Sequence, residues 1–236
     1  MTFEVPAGSF TVLLGPSGCG KSTLLRTVNR LVVPRSGRVF AGDENVADAQ
    51  IETLRRSIGY VIQAVGLFSH MTIEQNAGTV LSLLGWDKAR MRARTDELLT
   101  LVGLDPERYR SRYPRELSGG EQQRVGVARA IAAQPAVLLM DEPFGAVDAL
   151  VRTSLQDEML RIASSLHTTI LFVTHDVDEA LRLADNIVVM RDGKIEQHAT
   201  PEELLREPAT PYVAQLFART PEQRKFDALR ASLASP

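Results

Sequence analysis

A single cysteine, Cys19, in 236 residues excludes an internal disulfide and fits a reducing compartment, so the cytosol is the expected location. A strong charge of either sign is also missing. Lys and Arg number 27 against 29 Asp and Glu, giving a formal net charge of -2, which leaves no broad cationic surface for a phosphate backbone and argues against nucleic acid as a partner. No apolar run approaches the roughly 18 residues of a spanning helix, and the first residues show no basic segment followed by an apolar one. A membrane role is therefore expected to work through a partner. Internal repeats and heptads are absent, and only Ala231 to Pro236 reads as disordered. What is present, 44% hydrophobic and 24% charged residues, suffices for a sizeable core in one large domain or two closely joined lobes.

Along the chain, Phe10 to Leu14 is a short apolar run ending at glycine, and Lys21 to Leu31 follows with Leu24, Leu25, Val28 and Leu31 at helical spacing. Strand, tight loop and helix are expected there. Ile58 to Ile62 reads as a second buried strand, after which helical patterns dominate to about Gln134, broken near Gly103 to Pro106 and at Pro114. Val137 to Met140 and Thr169 to Val173 are apolar runs separated by one long helical pattern, Ala149 to Leu166, and are expected to be neighbouring parallel strands. Near the end, Asn186 to Met190 and Lys194 to His198 flank Asp192-Gly193, a pair suited to a type I′ hairpin. Thr200, Pro201 and Glu203 then occupy N-cap, N1 and N3 of a capping box.

The loop after the first strand, Gly15-Pro16-Ser17-Gly18-Cys19-Gly20-Lys21-Ser22-Thr23, matches the phosphate-binding P-loop. Its glycines let backbone N–H groups turn inward onto phosphate oxygens, and the following helix adds its positive end. Lys21 supplies a point charge for the β- and γ-phosphates, Ser22 a hydroxyl for magnesium and Thr23 a second hydroxyl. Cys19 reads as a space-filling loop residue. Leu117-Ser118-Gly119-Gly120-Glu121-Gln122-Gln123-Arg124 opens a second helix with exposed backbone donors. Val137 to Pro143 is a buried strand ending in paired carboxylates, of which Asp141 suits metal and Glu142 suits an attacking water. His175 stands at the end of the next strand, where a nitrogen donor would meet a γ-phosphate.

Together these motifs resemble the ATPases of ABC transporters from about Thr2 to Ala218, and the eight-residue signature at Leu117 is the most specific part of the match. The resemblance implies an α/β fold: a RecA-like, P-loop parallel-sheet core with an antiparallel β part and a helical signature subdomain. It divides the chain into a catalytic lobe, 1–63 and 135–218, a helical subdomain, 64–134, and a tail, 219–236. By the same resemblance Gln63 is the Q-loop glutamine, a metal-ligating and catalytic residue, and Ser22 and Asp141 are the other metal ligands. Asp141 corresponds to the Walker B aspartate, Glu142 to the catalytic glutamate, Asp148 to the D-loop aspartate and His175 to the switch histidine. ATP and Mg2+ are the implied cofactors. Ser118, Gly119, Gly120 and Gln122 of one chain are implied to close over the P-loop of another, so a homodimer or paired ATPase subunit is expected. Ala64 to Ile73 would face a transmembrane permease at the cytoplasmic side of the membrane, served indirectly by an extracytoplasmic substrate-binding protein.

The runs Tyr60 to Phe68 and Gly126 to Ala130 resemble importers of glycine betaine, choline and related osmoprotectants. Importers of amino acids, polyamines or sulfonates remain the alternative, because no residue here is expected to touch the solute. A soluble ABC ATPase of repair or translation, or a P-loop kinase, fits less well: there are no heptads or tandem units, and kinase chemistry does not call for the signature. Family members begin about 20 residues earlier, with a strand and an adenine-stacking aromatic residue, and close relatives continue into paired CBS modules. Phe3 and Phe10 read as core-facing strand residues, so weak ATP binding with poor discrimination against GTP is expected of this chain.

Overall fold

The computed structural model describes residues 1–63, 66–145, 149–166 and 168–218. Strand β1 (Phe10–Leu14) is buried along its whole length and lies between the parallel partners β6 (Thr169–Thr174) and β7 (Asn186–Arg191). The full order is β4-β5-β6-β1-β7-β8, where β4 (Ile58–Val61) and β5 (Val137–Asp141) extend the parallel set and β8 (Lys194–Ala199) closes one edge antiparallel. Continuous apolar runs are what a parallel sheet covered on both faces requires. Alternation sorts their side chains. Val12, Leu14, Ile170 and Phe172 enter one buried cluster, while Leu13, Leu171 and Val173 enter another across the sheet.

Helix α1 (Lys21–Val28) supplies Leu25 to the second cluster, as α2 (Ile51–Ser57) supplies Leu54, with the short hairpin β2 (Phe40–Ala41) and β3 (Glu44–Asn45) between them in sequence. The stretch after β4 is helical: α3 (Ile73–Ala77), α4 (Thr79–Leu83), α5 (Lys88–Leu101), α6 (Pro106–Tyr109), a 3-10 turn at Pro114–Glu116, and α7 (Gly119–Ile131). Helices α3 and α5 pack on α7, which also packs on β4, so the long signature helix joins this region to the sheet. Helix α8 (Ala149–Leu166) follows β5 and α9 (Val177–Leu183) follows β6, before the terminal pair α10 (Pro201–Arg206) and α11 (Pro211–Phe217). Among the described residues no helix is long and apolar enough to cross a membrane.

Several expectations hold in detail. Strand β1 and helix α8 have the expected bounds, β5 and β6 pair in parallel, and Thr200 and Glu203 form a reciprocal capping box. Asp192 (φ 47°) and Gly193 (φ 74°) are both left-handed, as a type I′ turn demands. Others are corrected. Helix α1 stops at Val28 rather than Leu31, because Arg30 turns left-handed (φ 53°) and Leu31 and Val32 both donate back to the Arg26 carbonyl. The strand expected to reach Ile62 ends at Val61. Phe10 begins β1 in the core, but Phe3 lies outside any strand, its ring edge-on to His198 at 6.1 Å.

Candidate functional site

Four parallel strands aim their carboxyl ends at one edge of the sheet, and each delivers a predicted residue there: the P-loop after β1, Gln63 after β4, Asp141 and Glu142 at β5, and His175 after β6. Open parallel sheets bind ligands at this edge. In the P-loop, Gly18 (φ 80°) and Gly20 (φ 103°) take the left-handed turns that let the backbone curl. Gly15 is fixed by space: a Cβ there would lie 2.2 Å from the Met190 carbonyl of β7. The Gly193 N–H donates to the Cys19 carbonyl at 3.2 Å, so the hairpin turn braces the loop. Cys19 is buried and packs in the core as a filler, whereas Pro16, Ser17, Gly18 and Thr23 remain exposed. Lys21 is only 4% exposed, and its ammonium donates to the Gly15 carbonyl at 2.7 Å and the Pro16 carbonyl at 3.0 Å. An ammonium has three donors, so one more is available to a ligand.

Asp141 is 1% exposed, and both of its oxygens are used. Ser22 Oγ donates to Oδ1 at 2.6 Å, and Arg26 Nη2 pairs with Oδ2 at 2.9 Å. Arg26 Nε also donates to Tyr60 Oη at 3.3 Å; that bond leads the causes that raise the guanidinium pKa, against the opposing effect of burial. Arg26 and Tyr60 escaped the sequence reading. An arginine on a helix suggests a solvated face, and the available signal was its four-residue spacing from Ser22.

Glu142 has φ 45°, rare for a side chain with a β-carbon and the kind of strained backbone that gathers at functional sites. Its N–H donates to the Val173 carbonyl at 3.0 Å, anchoring the turn to β6. Gln63 Nε2 lies 3.4 Å and His175 Nδ1 lies 3.5 Å from Glu142 Oε2, so one carboxylate oxygen gathers both predicted partners. His175, 57% exposed, faces outward. Behind it, the Thr174 hydroxyl donates to buried Glu179 at 2.7 Å and accepts the Asp176 N–H at 3.0 Å, setting the turn that carries the imidazole. Burial pushes the Glu179 carboxyl above its ordinary pKa.

The Ser22 hydroxyl and Asp141 carboxylate are hard oxygen donors of the type magnesium takes. No group of three His, Cys, Asp or Glu suited to a metal gathers among the described residues. An ion would thus draw its other ligands from water and phosphate, as magnesium usually does, and the donor set fits.

At the second predicted helix start, Ser118 caps α7: its Oγ accepts from the Glu121 N–H at 3.3 Å and Glu121 Oε2 accepts the Ser118 N–H at 2.7 Å. Tyr109 donates to Glu121, and this bond leads the causes that hold the carboxyl pKa below its ordinary value. Gln122 Nε2 donates to the Leu117 carbonyl at 3.1 Å. Gly119 and Gly120 form the first turn beyond the cap. Of the expected partner-facing segment Ala64 to Ile73, Ala64 and Val65 lie outside the described residues. The rest is held by Arg129, which donates to the Gly66 carbonyl at 2.8 Å, and by buried Asn76, which exchanges hydrogen bonds with the Phe68 backbone. Asp148 and the tail, 219–236, also lie outside the described residues.

The ABC transporter family profile matches residues 1–145. The chain is 53% identical over 219 residues to the osmoprotectant import ATP-binding protein OsmV of Salmonella typhimurium, covering 93% of this chain and 57% of that protein. It is 51% identical over 216 residues to the glycine betaine/carnitine/choline transport ATP-binding protein OpuCA of Bacillus subtilis, covering 92% and 57%. The chain thus spans somewhat over half the length of these curated relatives. A solved ATP-binding cassette, in a dimeric post-hydrolysis state bound to ADP and Pi, superposes with a TM-score of 0.76 at 30% identity, over 84% of this chain and 88% of that one. With its P-loop, paired carboxylates and signature on one such fold, the chain belongs to the ABC transporter family.

Proposed function

We propose that the chain is the ATP-hydrolysing subunit of an importer for osmoprotectants such as glycine betaine or choline, acting peripherally at the cytoplasmic face of the membrane. The observation that carries the reading is the gathering of Gln63 and His175 on one Glu142 oxygen, beside the Ser22 and Asp141 pair and the P-loop. In this reading Lys21 and the loop N–H groups bind the β- and γ-phosphates, and Ser22, Gln63 and Asp141 would hold magnesium. The ion would offset phosphate charge. Glu142 takes a proton from the attacking water, while His175 donates toward the γ-phosphate. Ser118, Gly119, Gly120 and Gln122 serve the P-loop of a second chain head to tail, with Asp148 in the role of the D-loop aspartate. The lobe division is 1–63 with 135–218, the helical subdomain 64–134 and the tail 219–236, with the segment Ala64 to Ile73 as the transmission surface toward the permease. An external binding protein would deliver the solute. The relatives' names favour osmoprotectants over other small solutes.

The test is magnesium-dependent phosphate release by the purified chain, with specific activity rising with chain concentration as dimers form. Activity independent of concentration would refute the paired site, and no hydrolysis at any concentration would refute the enzyme. Vesicles holding the cognate permease would then take up labelled glycine betaine only with ATP. Failure with betaine and choline, but uptake of another solute, would overturn the substrate assignment.

A further inference from the structure

We propose that Arg26 is a positioning residue for the Asp141 carboxylate, turning it so that magnesium-bound nucleotide meets that group in one fixed orientation. The proposal rests on the reading of Asp141 as a metal-site carboxylate. At 1% exposure, Asp141 has little water to satisfy it, and its oxygens are divided between two donors, Ser22 at 2.6 Å and Arg26 at 2.9 Å. Ser22 and Arg26 are four residues apart on α1, which puts both on one helix face. Arg26 is itself located by the Tyr60 hydroxyl at 3.3 Å, and Tyr60 on β4 is in register with Leu139, two residues before Asp141 on β5. Helix α1 and two neighbouring strands thus define one carboxylate rotamer.

The side-chain type matters as much as the charge. A guanidinium is a planar fork of five donors, so one nitrogen can hold the carboxylate while another holds the phenol. A lysine ammonium is a single flexible point and cannot reproduce both directions. Without Arg26, Oδ2 would be a buried acceptor lacking its donor, and the carboxylate would be free to turn away from Ser22. Partners that orient metal-ligating carboxylates characteristically change metal affinity by about 10- to 100-fold when removed.

The experiment measures the affinity of the full chain for a non-hydrolysable ATP analogue by calorimetry, once in magnesium and once in EDTA. The ratio of the two affinities is the readout, because a purely structural contribution moves both alike. Arg26→Met is expected to lower the ratio by about 10-fold or more and to leave the EDTA affinity essentially unchanged. Arg26→Lys and Tyr60→Phe should lower it less. Asp141→Asn is the control for the underlying reading. If Asp141→Asn removes the magnesium gain but Arg26→Met leaves it unchanged or raises it, the positioning role is overturned. If Asp141→Asn itself leaves the gain intact, the metal-site reading fails instead. Should Arg26→Met not fold, Arg26→Lys and Tyr60→Phe carry the comparison, and an unmoved ratio in both overturns the proposal.

Discussion

Two helix starts in this chain, those of α1 and α7, are shaped in opposite ways. At α1 the turn is made by left-handed glycines, no side chain caps the helix, and the buried Lys21 holds the loop carbonyls from inside. The donors at that start are therefore left without a side-chain cap. At α7 the start is closed on itself: Ser118 and Glu121 satisfy each other's N–H groups in a capping box, and Gln122 folds back onto Leu117. A capped start is stable alone, and its Ser118 and Gly119 lie exposed. One site is prepared within the chain, and the other is a face offered outward.

Breaking the prepared side should have the largest effect. Glu142→Gln keeps the side-chain shape and removes the base, so phosphate release should fall by about 10²- to 10⁴-fold while ATP binding persists and ATP-bound dimers accumulate in size-exclusion chromatography. Normal turnover by this variant would mean that another group is the base.

On the offered side, the sharper substitution is Ser118→Asp. Aspartate caps helices about as well as serine, so the melting temperature should be preserved, whereas serine to alanine loses a cap worth about 1 kcal/mol. A carboxylate aimed at a partner's phosphates, however, should reduce hydrolysis by about 10²- to 10³-fold, the scale of losing a charge-stabilising donor. Mixing Ser118→Asp chains with Lys21→Ala chains should restore activity that neither has alone, because one composite site then keeps both intact halves. No recovery despite verified heterodimers would argue that Ser118 serves its own chain. Lys21→Ala, measured by calorimetry, should weaken ATP by about 10- to 100-fold, the value of a charge-assisted bond.

What the sequence made legible follows the same division. Strands β1, β5 and β6 announce themselves because a doubly covered parallel sheet writes continuous apolar runs, and Gly15 to Ser22 because a phosphate cradle needs glycines at fixed spacing. The Asp192-Gly193 turn was readable for a local reason, since few residues accept two left-handed positions. Helix α1 was overextended because Leu31 continues the apolar spacing, yet it ends up exposed beyond a left-handed Arg30. Arg26 went unseen because its meaning depends on Asp141, distant in sequence. The hairpin of β2 and β3 spans too few residues to write a period.

The smallest effect concerns the support behind His175. Glu179 is buried, accepts from Thr174 at 2.7 Å and Gln156 at 3.3 Å, and lies 3.8 Å from Arg152. Burial is the leading cause of its raised pKa, with nearby Asp176 adding to it and the hydrogen bonds and Arg152 opposing. A carboxyl whose folded pKa is raised binds its proton more tightly in the folded chain than in the unfolded one. Between the ordinary value of 4.5 and the raised folded value, stability therefore falls as pH rises, and above that window the loss is constant. Glu179→Gln removes this titration and keeps a carbonyl acceptor for Thr174, and the Gln156 amide can turn to present its oxygen. Thermal melts across the acid-to-neutral range should show a shallower decline for the variant, and at neutral pH a stability equal to the parent or higher by something on the order of 1 kcal/mol. A clear loss at neutral pH, with the decline unchanged, would instead mean that the ionised carboxylate is held by Arg152 as a stabilising pair, and that the loop carrying His175 depends on that charge.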